Sequence, residues 1–157
     1  MRKKILAAIV LGVATPVSFL GSAPLANAAT ALSTCSGATC TGKPAASYTC
    51  VNDAEVIYSV NIMNGSTVVG NIQLKYSPSC RATWARVISD LGFGSGAKII
   101  SSNSSLGFEG CNGVGGAGTG CNTDMMDDEN LTSHAMGTVF LTAGESGSNA
   151  SASTASF

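Results

Sequence analysis

Charged side chains are scarce in this chain, and histidine and tryptophan occur once each. Lysine and arginine together number 8, aspartate and glutamate number 9, and charged residues make up 11% of the sequence. This slightly acidic balance excludes the basic surface by which proteins bind nucleic acids or anionic lipids. Because few ion pairs can form, burial and covalent cross-links must provide most of the stability.

The residues that usually form helices, lysine and glutamate, are rare, whereas the chain holds 19 glycines and many Ser, Thr and Asn residues. This composition disfavours long helices and suits strands that are joined by polar turns. We therefore predict an all-β fold. It would be a small disulfide-stapled antiparallel sheet, sandwich-like or barrel-like, with long loops.

Only one long apolar run occurs, from Ile5 to Gly21, and it is slightly short for a membrane span. Basic residues precede it and the small residues Ala26 to Ala28 follow it, which predicts a signal peptide over residues 1–28 that is removed. Removal takes away three basic residues and leaves five basic against nine acidic side chains, a net charge of −4. We predict a secreted, extracellular protein that has no membrane span after signal removal.

All six cysteines follow the predicted cleavage site, where an oxidising environment favours disulfides. Zinc is the alternative, but zinc sites favour closely spaced cysteine pairs that are often joined by histidine. We therefore predict three disulfides and no metal or cofactor. One pair is expected across the glycine-rich loop 111–121, three pairings stay open for the other four cysteines, and we expect Cys80 to link the N-terminal segment to the sheet. The six residues are Cys35, Cys40, Cys50, Cys80, Cys111 and Cys121.

Apolar residues alternate with more polar ones on both sides of Asn64-Gly65, the pattern of a β-hairpin with a tight turn. A third strand is predicted over residues 81–88, with a short helix as the alternative. Shorter strands are predicted over residues 98–101 and 133–142. We expect the single tryptophan, Trp84, to be buried against the hairpin face that carries Tyr58, Val60, Ile72 and Leu74.

The boundaries of the domain follow from composition. Residues 29–34 are predicted to be a flexible lead, and residues 35–143 a single disulfide-bonded β domain. Residues 144–157 are rich in Ser, Ala and Gly and have almost no apolar area, so we predict a disordered tail.

No combination of residues predicts catalysis. His134 is the only histidine, and no nucleophile or orienting acid can be named for it. Glycine motifs at residues 37–43 and 113–118 imitate nucleotide-binding loops but lack the flanking strand and helix. The acidic residues 124–129 lack the spacing of a calcium loop, which favours a solvated turn and leaves calcium binding as the open alternative.

One candidate recognition patch remains, formed by Arg81, Trp84 and Arg86. Guanidinium groups beside an indole ring can bind ligands through cation–π contacts. The competing interpretation is a core tryptophan flanked by exposed arginines, because large aromatic residues mostly serve packing.

Residues 76–87, with the sequence YSPSCRATWARV, carry a family resemblance together with the cysteine pattern that precedes them and Ala135 to Val139 near the end. Over roughly residues 35–140 the chain resembles the YjfA-like domain of unknown function, which is common in secreted proteins of Gram-positive bacteria. The resemblance implies a small disulfide-bonded extracellular domain, and it implies no activity or ligand. Residues 92–123 depart from the family, and the Cys111 and Cys121 pair looks like an addition.

These features predict a secreted non-enzymatic binding or envelope-associated module. Its expected partner is a component of the cell wall or an extracellular protein, and not a nucleic acid. The alternative is an extracellular hydrolase or protease inhibitor that acts through a loop such as 111–121.

Overall fold

The computed structural model describes residues 32–157 except residues 92, 107, 114 and 143–147 and the side chain of Phe108. The predicted signal peptide and residues 29–31 of the predicted lead lie outside these residues. Within them, no helix has the length and apolar character needed to cross a membrane. The strands are β1 (Glu55–Asn64), β2 (Thr67–Ser77), β3 (Ala82–Ser89), β4 (Ser95–Ser101), β5 (Phe108–Gly113), β6 (Thr119–Asn122), β7 (Met126–Asp127), β8 (Ser133–Phe140) and β9 (Asn149–Ser153).

The strands form two antiparallel sheets, which confirms the predicted fold class. The first sheet has the order β1-β2-β3-β6, and β7 pairs with the opposite end of β3. The second sheet has the order β5-β4-β8-β9. Strand β3 packs against β4 and β8, and β1 packs against β9, so the two sheets face each other. The described residues also form four short 3-10 turns: Gly37–Cys40, Ala45–Ser47, Thr49–Val51 and Ser104–Leu106.

The predicted hairpin is present as β1 and β2. Asn64 pairs with Thr67, and Gly65 has a φ of 60°, the left-handed conformation that a tight turn of this kind requires. Opposite positions Val60 and Ile72 place apolar side chains on one face of the hairpin. That face is the one that packs toward the second sheet.

The main core lies between the two sheets, and we call it the inner cluster. Glycine is needed at position 70, because a Cβ atom there would lie 2.5 Å from the carbonyl oxygen of Ile88 in the neighbouring strand and 2.8 Å from Cγ2 of Val139 in the second sheet. The buried residues of the inner cluster are Ile62, Val69, Ile72, Leu74, Ala85, Val87, Ala97, Ile99, Met126, Ala135, Val139 and Ala150.

Trp84 is buried as predicted, but the prediction of its partners was wrong. The register places Leu74 opposite Ala85 and Lys75 opposite Trp84, so Trp84 points away from the inner cluster. Because side chains alternate along a strand, a difference of one residue moves a side chain to the other face. There Trp84 belongs to a second group, the outer cluster, which consists of Cys40, Ala45, Cys50, Cys80, Ala82, Trp84 and Met125.

The predicted disordered tail was also wrong for residues 148–157. Asn149–Ser153 forms β9, which pairs with β8 along its whole length. Beyond it, the backbones of Ser133 and Phe157 exchange two hydrogen bonds of 3.0 Å, and the Phe157 ring centroid lies 5.0 Å from that of Tyr76. Backbone hydrogen bonds and the buried Ala150 compensate for the lack of large apolar residues in β9. Composition alone could not reveal this backbone pairing.

The six cysteines form three disulfides, as predicted, and no described cysteine is free. The pairs are Cys35–Cys40, Cys50–Cys80 and Cys111–Cys121. The second pair ties the 3-10 turns to the end of β2, in agreement with the expected role of Cys80. The third pair joins β5 in one sheet to β6 in the other, so it connects the sheets and does more than close a loop.

Candidate binding cleft beside Trp84

A cleft of about 370 Å³ opens on the outer face of the first sheet. The 3-10 turns form one wall, and strands β2, β3 and β6 form the other. Its lining combines apolar and polar side chains: Pro44, Ala45, Ala46, Val51, Lys75, Trp84, Arg86, Asn122 and Thr123.

Strand register brings the polar lining residues together. Lys75 lies opposite Trp84, and Arg86 lies opposite Asn122 of β6. Because residues two apart on a strand share a face, Trp84 and Arg86 both point toward the cleft. Three strands therefore contribute neighbouring side chains to one surface.

Trp84 serves both packing and the cleft. Its side chain is only 2% exposed, and the outer cluster surrounds it, as expected of a core residue. The Nζ atom of Lys75 lies 5.6 Å from the centroid of the indole ring, which is within the range of a cation–π contact. Trp84 can therefore be both a core residue and part of a recognition surface, because it packs in the outer cluster and also borders the cleft.

The cleft carries positive charge without a neutralising acid. Burial lowers the pKa of the Lys75 ammonium, and the positive charge of Arg86 lowers it further. None of the lining residues is acidic. In the described part of the chain neither Lys75 nor Arg86 forms a salt bridge. Two like charges beside an apolar wall favour the approach of an anion.

Arg81, the third residue of the predicted patch, lies outside the cleft. It adopts a φ of 47° at the turn before β3, and its guanidinium pairs with the carboxylate of Glu129. The patch thus reduces to Trp84 and Arg86, and sequence reasoning missed Lys75. No local sequence signal marked Lys75, because its position opposite Trp84 depends on the register between β2 and β3, which the turn between β1 and β2 does not set.

The structure assembles no catalytic group around His134. The residue lies on β8, opposite Ile100 of β4, and no hydrogen bond or ion pair among the described residues joins its imidazole to a carboxylate or hydroxyl. The loop 111–121, the site of the alternative hydrolase or inhibitor function, contains no titratable side chain other than its two bonded cysteines.

The acidic residues 124–129 do not converge into a site. Asp127 accepts a hydrogen bond from the backbone of Glu129, and Asp128 accepts one from the Ser133 hydroxyl. Among the described residues, the single group of Cys, His, Asp or Glu with the spacing of a metal site is formed by four cysteines and includes no carboxylate.

Comparison with known proteins places the chain in an uncharacterised family. Neither a curated protein nor a solved structure matches it. The family model that does match is described as "Protein of unknown function (DUF2690)" and covers residues 38–144. This range contains the cleft and every cysteine except Cys35. The chain belongs to this DUF2690 family of proteins of unknown function.

Proposed function

We propose that the mature protein is a secreted, non-enzymatic binding module of the bacterial cell envelope, and that the cleft beside Trp84 receives an anionic group of its ligand. The observation that carries this proposal is the pair of cations, Lys75 and Arg86, beside an apolar wall with no acidic lining residue. Phosphate and carboxylate are the anionic groups that suit such a pair.

The chemistry of the two cations supports this assignment. A guanidinium such as that of Arg86 binds phosphate or carboxylate through two parallel hydrogen bonds, and an ammonium acts as a compact charge beside it. Burial and, second to it, the charge of Arg86 lower the pKa of Lys75, and an anion between the two cations would offset both effects. The volume of about 370 Å³ lies in the range of small-ligand sites, so the cleft would hold one group of a larger polymer or peptide.

Three features support an extracellular place of action. The first 28 residues have the three parts of a signal peptide. The described domain contains three disulfides, which persist in oxidising environments. The resemblance to the YjfA-like domain implies the same location. These features are compatible with a protein that works at the cell wall.

The test measures retention of the purified mature protein on isolated Gram-positive cell walls. Walls with their phosphate-rich polymers intact are compared with walls stripped of phosphate, which retain peptidoglycan carboxylates. We expect retention that weakens as salt is raised, because the cations are near the surface. Retention on intact walls alone would identify the anion as phosphate, and retention that persists on the stripped walls would identify it as carboxylate.

Matched variants connect binding to the cleft. Lys75→Gln combined with Arg86→Gln should weaken binding at least about tenfold, the loss expected for charge-assisted hydrogen bonds. Arg81→Gln removes one charge from the predicted patch but lies outside the cleft, so it should bind as the wild type does. Unchanged binding by the double variant would refute the cleft, and hydrolytic activity abolished by His134→Ala would refute a non-enzymatic module.

A further inference from the structure

Four cysteine sulfurs lie together in the outer cluster. The Sγ atoms of Cys35, Cys40, Cys50 and Cys80 all lie within 4.8 Å of one another. They belong to two separate disulfides, yet Sγ of Cys35 lies 3.6 Å from Sγ of Cys50 across the gap between them. The third disulfide, at residues 111 and 121, lies elsewhere and contributes no sulfur to this group.

We propose that this four-cysteine cluster becomes a zinc site when its two disulfides are reduced. A dithiol or phosphine reductant supplies two electrons to each disulfide, and with two protons each bond becomes two thiols. One Zn²⁺ then forms four Zn–S bonds and displaces the four thiol protons to solvent. The oxidised protein offers no thiolate and should bind no zinc there.

The positions of the sulfurs fit a tetrahedral site with small adjustments. A Zn–S bond of about 2.3 Å requires about 3.8 Å between neighbouring sulfurs. The 3.6 Å between Cys35 and Cys50 already has this value. To reach this spacing, the two sulfurs of each disulfide move apart by less than about 2 Å. The sulfurs that are farther apart move closer by at most about 1 Å. Movements of this size need only changes of side-chain torsion and of the short 3-10 turns.

The surroundings resemble those of a closed structural metal site. Cys40, Cys50 and Cys80 are at most 1% exposed, and only Cys35 reaches the surface. The Ser79 hydroxyl lies 3.9 Å from Sγ of Cys80 and is placed to donate to it, an outer contact that stabilises a thiolate ligand. Trp84 and Met125 pack in the same cluster and keep water away. Four protein ligands without an open position predict a structural role, not a catalytic one.

The inferred zinc would preserve the link that the disulfides make. Cys80 is attached to the sheet, and the other three cysteines belong to the segment with the 3-10 turns. Metal or disulfides would therefore tie the same segment to the same sheet. A chain that folds before oxidation would keep its outer cluster through zinc.

Cobalt provides a direct test, since Co²⁺ in a tetrathiolate site gives thiolate charge-transfer bands and tetrahedral d–d bands. The mature protein, reduced with a phosphine, is titrated with Co²⁺ and then with Zn²⁺. We expect one cobalt per chain, displacement by one zinc, and protection of four cysteines from alkylation. The oxidised protein should show no such bands.

Two variants separate this site from unspecific binding to thiols. Cys111→Ser combined with Cys121→Ser should keep the full cobalt spectrum and the stoichiometry of one. Cys35→Ser combined with Cys80→Ser should abolish the tetrathiolate bands. Absence of cobalt uptake by the reduced wild type, or a tetrathiolate spectrum that survives the second variant, would overturn the proposal.

Discussion

The two faces of the first sheet are buried by different means. On one face, the inner cluster packs against a second sheet and consists of aliphatic, alanine and methionine side chains. On the other, the outer cluster is covered by turns of three or four residues, and three of its seven members are half-cystines. A regular sheet can cover another sheet through burial alone, whereas short turns make few hydrogen bonds of their own. The comparison teaches that the cross-links are concentrated where regular structure is missing.

The largest expected effect comes from Trp84→Ala, which would empty the centre of the outer cluster. We expect the free energy of unfolding to fall by about 3–5 kcal/mol, because a large buried aromatic side chain leaves a cavity. Chemical denaturation of the oxidised protein measures this loss.

The control for Trp84 is Ile72→Ala on the inner face, where we expect a loss of about 2–5 kcal/mol. In the oxidised protein the disulfides should hold the covering turns in place, so Trp84→Ala should leave the pairing of the cysteines unchanged. A loss below 1 kcal/mol for Trp84→Ala would show that the disulfides alone sustain the outer face, and the comparison would fail.

A smaller effect is expected from Phe157→Ala at the end of the chain. Phe157 is 39% exposed and packs on Tyr76, so removal of its ring should cost about 1–2 kcal/mol. Phe93→Ala is the matched control, because Phe93 is 37% exposed and has no aromatic neighbour among the described residues. Equal melting temperatures for the Phe157→Ala variant and the wild type would contradict a docked C-terminus.

The smallest expected effect on stability comes from replacing Asp128, which lies beside the start of β8. Burial raises the pKa of its carboxyl to about 6, the Ser133 hydroxyl opposes this rise, and the charge of Asp127 adds to it. Because the folded-state pKa lies above the ordinary value of 3.8, the folded state binds the proton more tightly. The contribution of this group to stability is therefore present at low pH and is lost as pH rises through about 6.

Asp128→Asn should consequently raise the melting temperature at pH 7.5 and have little effect at pH 3.5, since the amide resembles the protonated acid. Asp90→Asn, at an exposed position, controls for the loss of one negative charge. A stabilisation of equal size at both pH values would contradict the predicted linkage.

The sequence predicted those elements that depend on local pattern. The alternation around Asn64-Gly65 indicated the hairpin, and the export signal with an even cysteine count indicated three disulfides. The face of Trp84 was not accessible in the same way, because it depends on the register between β2 and β3. Lys75 entered the candidate cleft through that register, whereas Arg81 left it through a turn conformation that brings it to Glu129.

The C-terminal strand illustrates a second limit of sequence reasoning. Asn149–Ser153 contains no large apolar residue, so composition predicted disorder, yet the edge of β8 provides partners for its backbone. Its small residues fit there because Ala150 needs little room in the inner cluster. A strand that is held mainly by backbone hydrogen bonds is not indicated by the hydropathy of its sequence.

The consecutive methionines Met125 and Met126 have a consequence for following the two faces separately. Met125 lies in the outer cluster and Met126 in the inner one, and both are fully buried, whereas Met63 and Met136 are exposed. Peroxide converts accessible methionine to its sulfoxide, so Met63 and Met136 should react first. Afterwards, oxidation of Met125 records the opening of the outer face and oxidation of Met126 that of the inner face. Two consecutive residues thus report on two different cores within one peptide fragment.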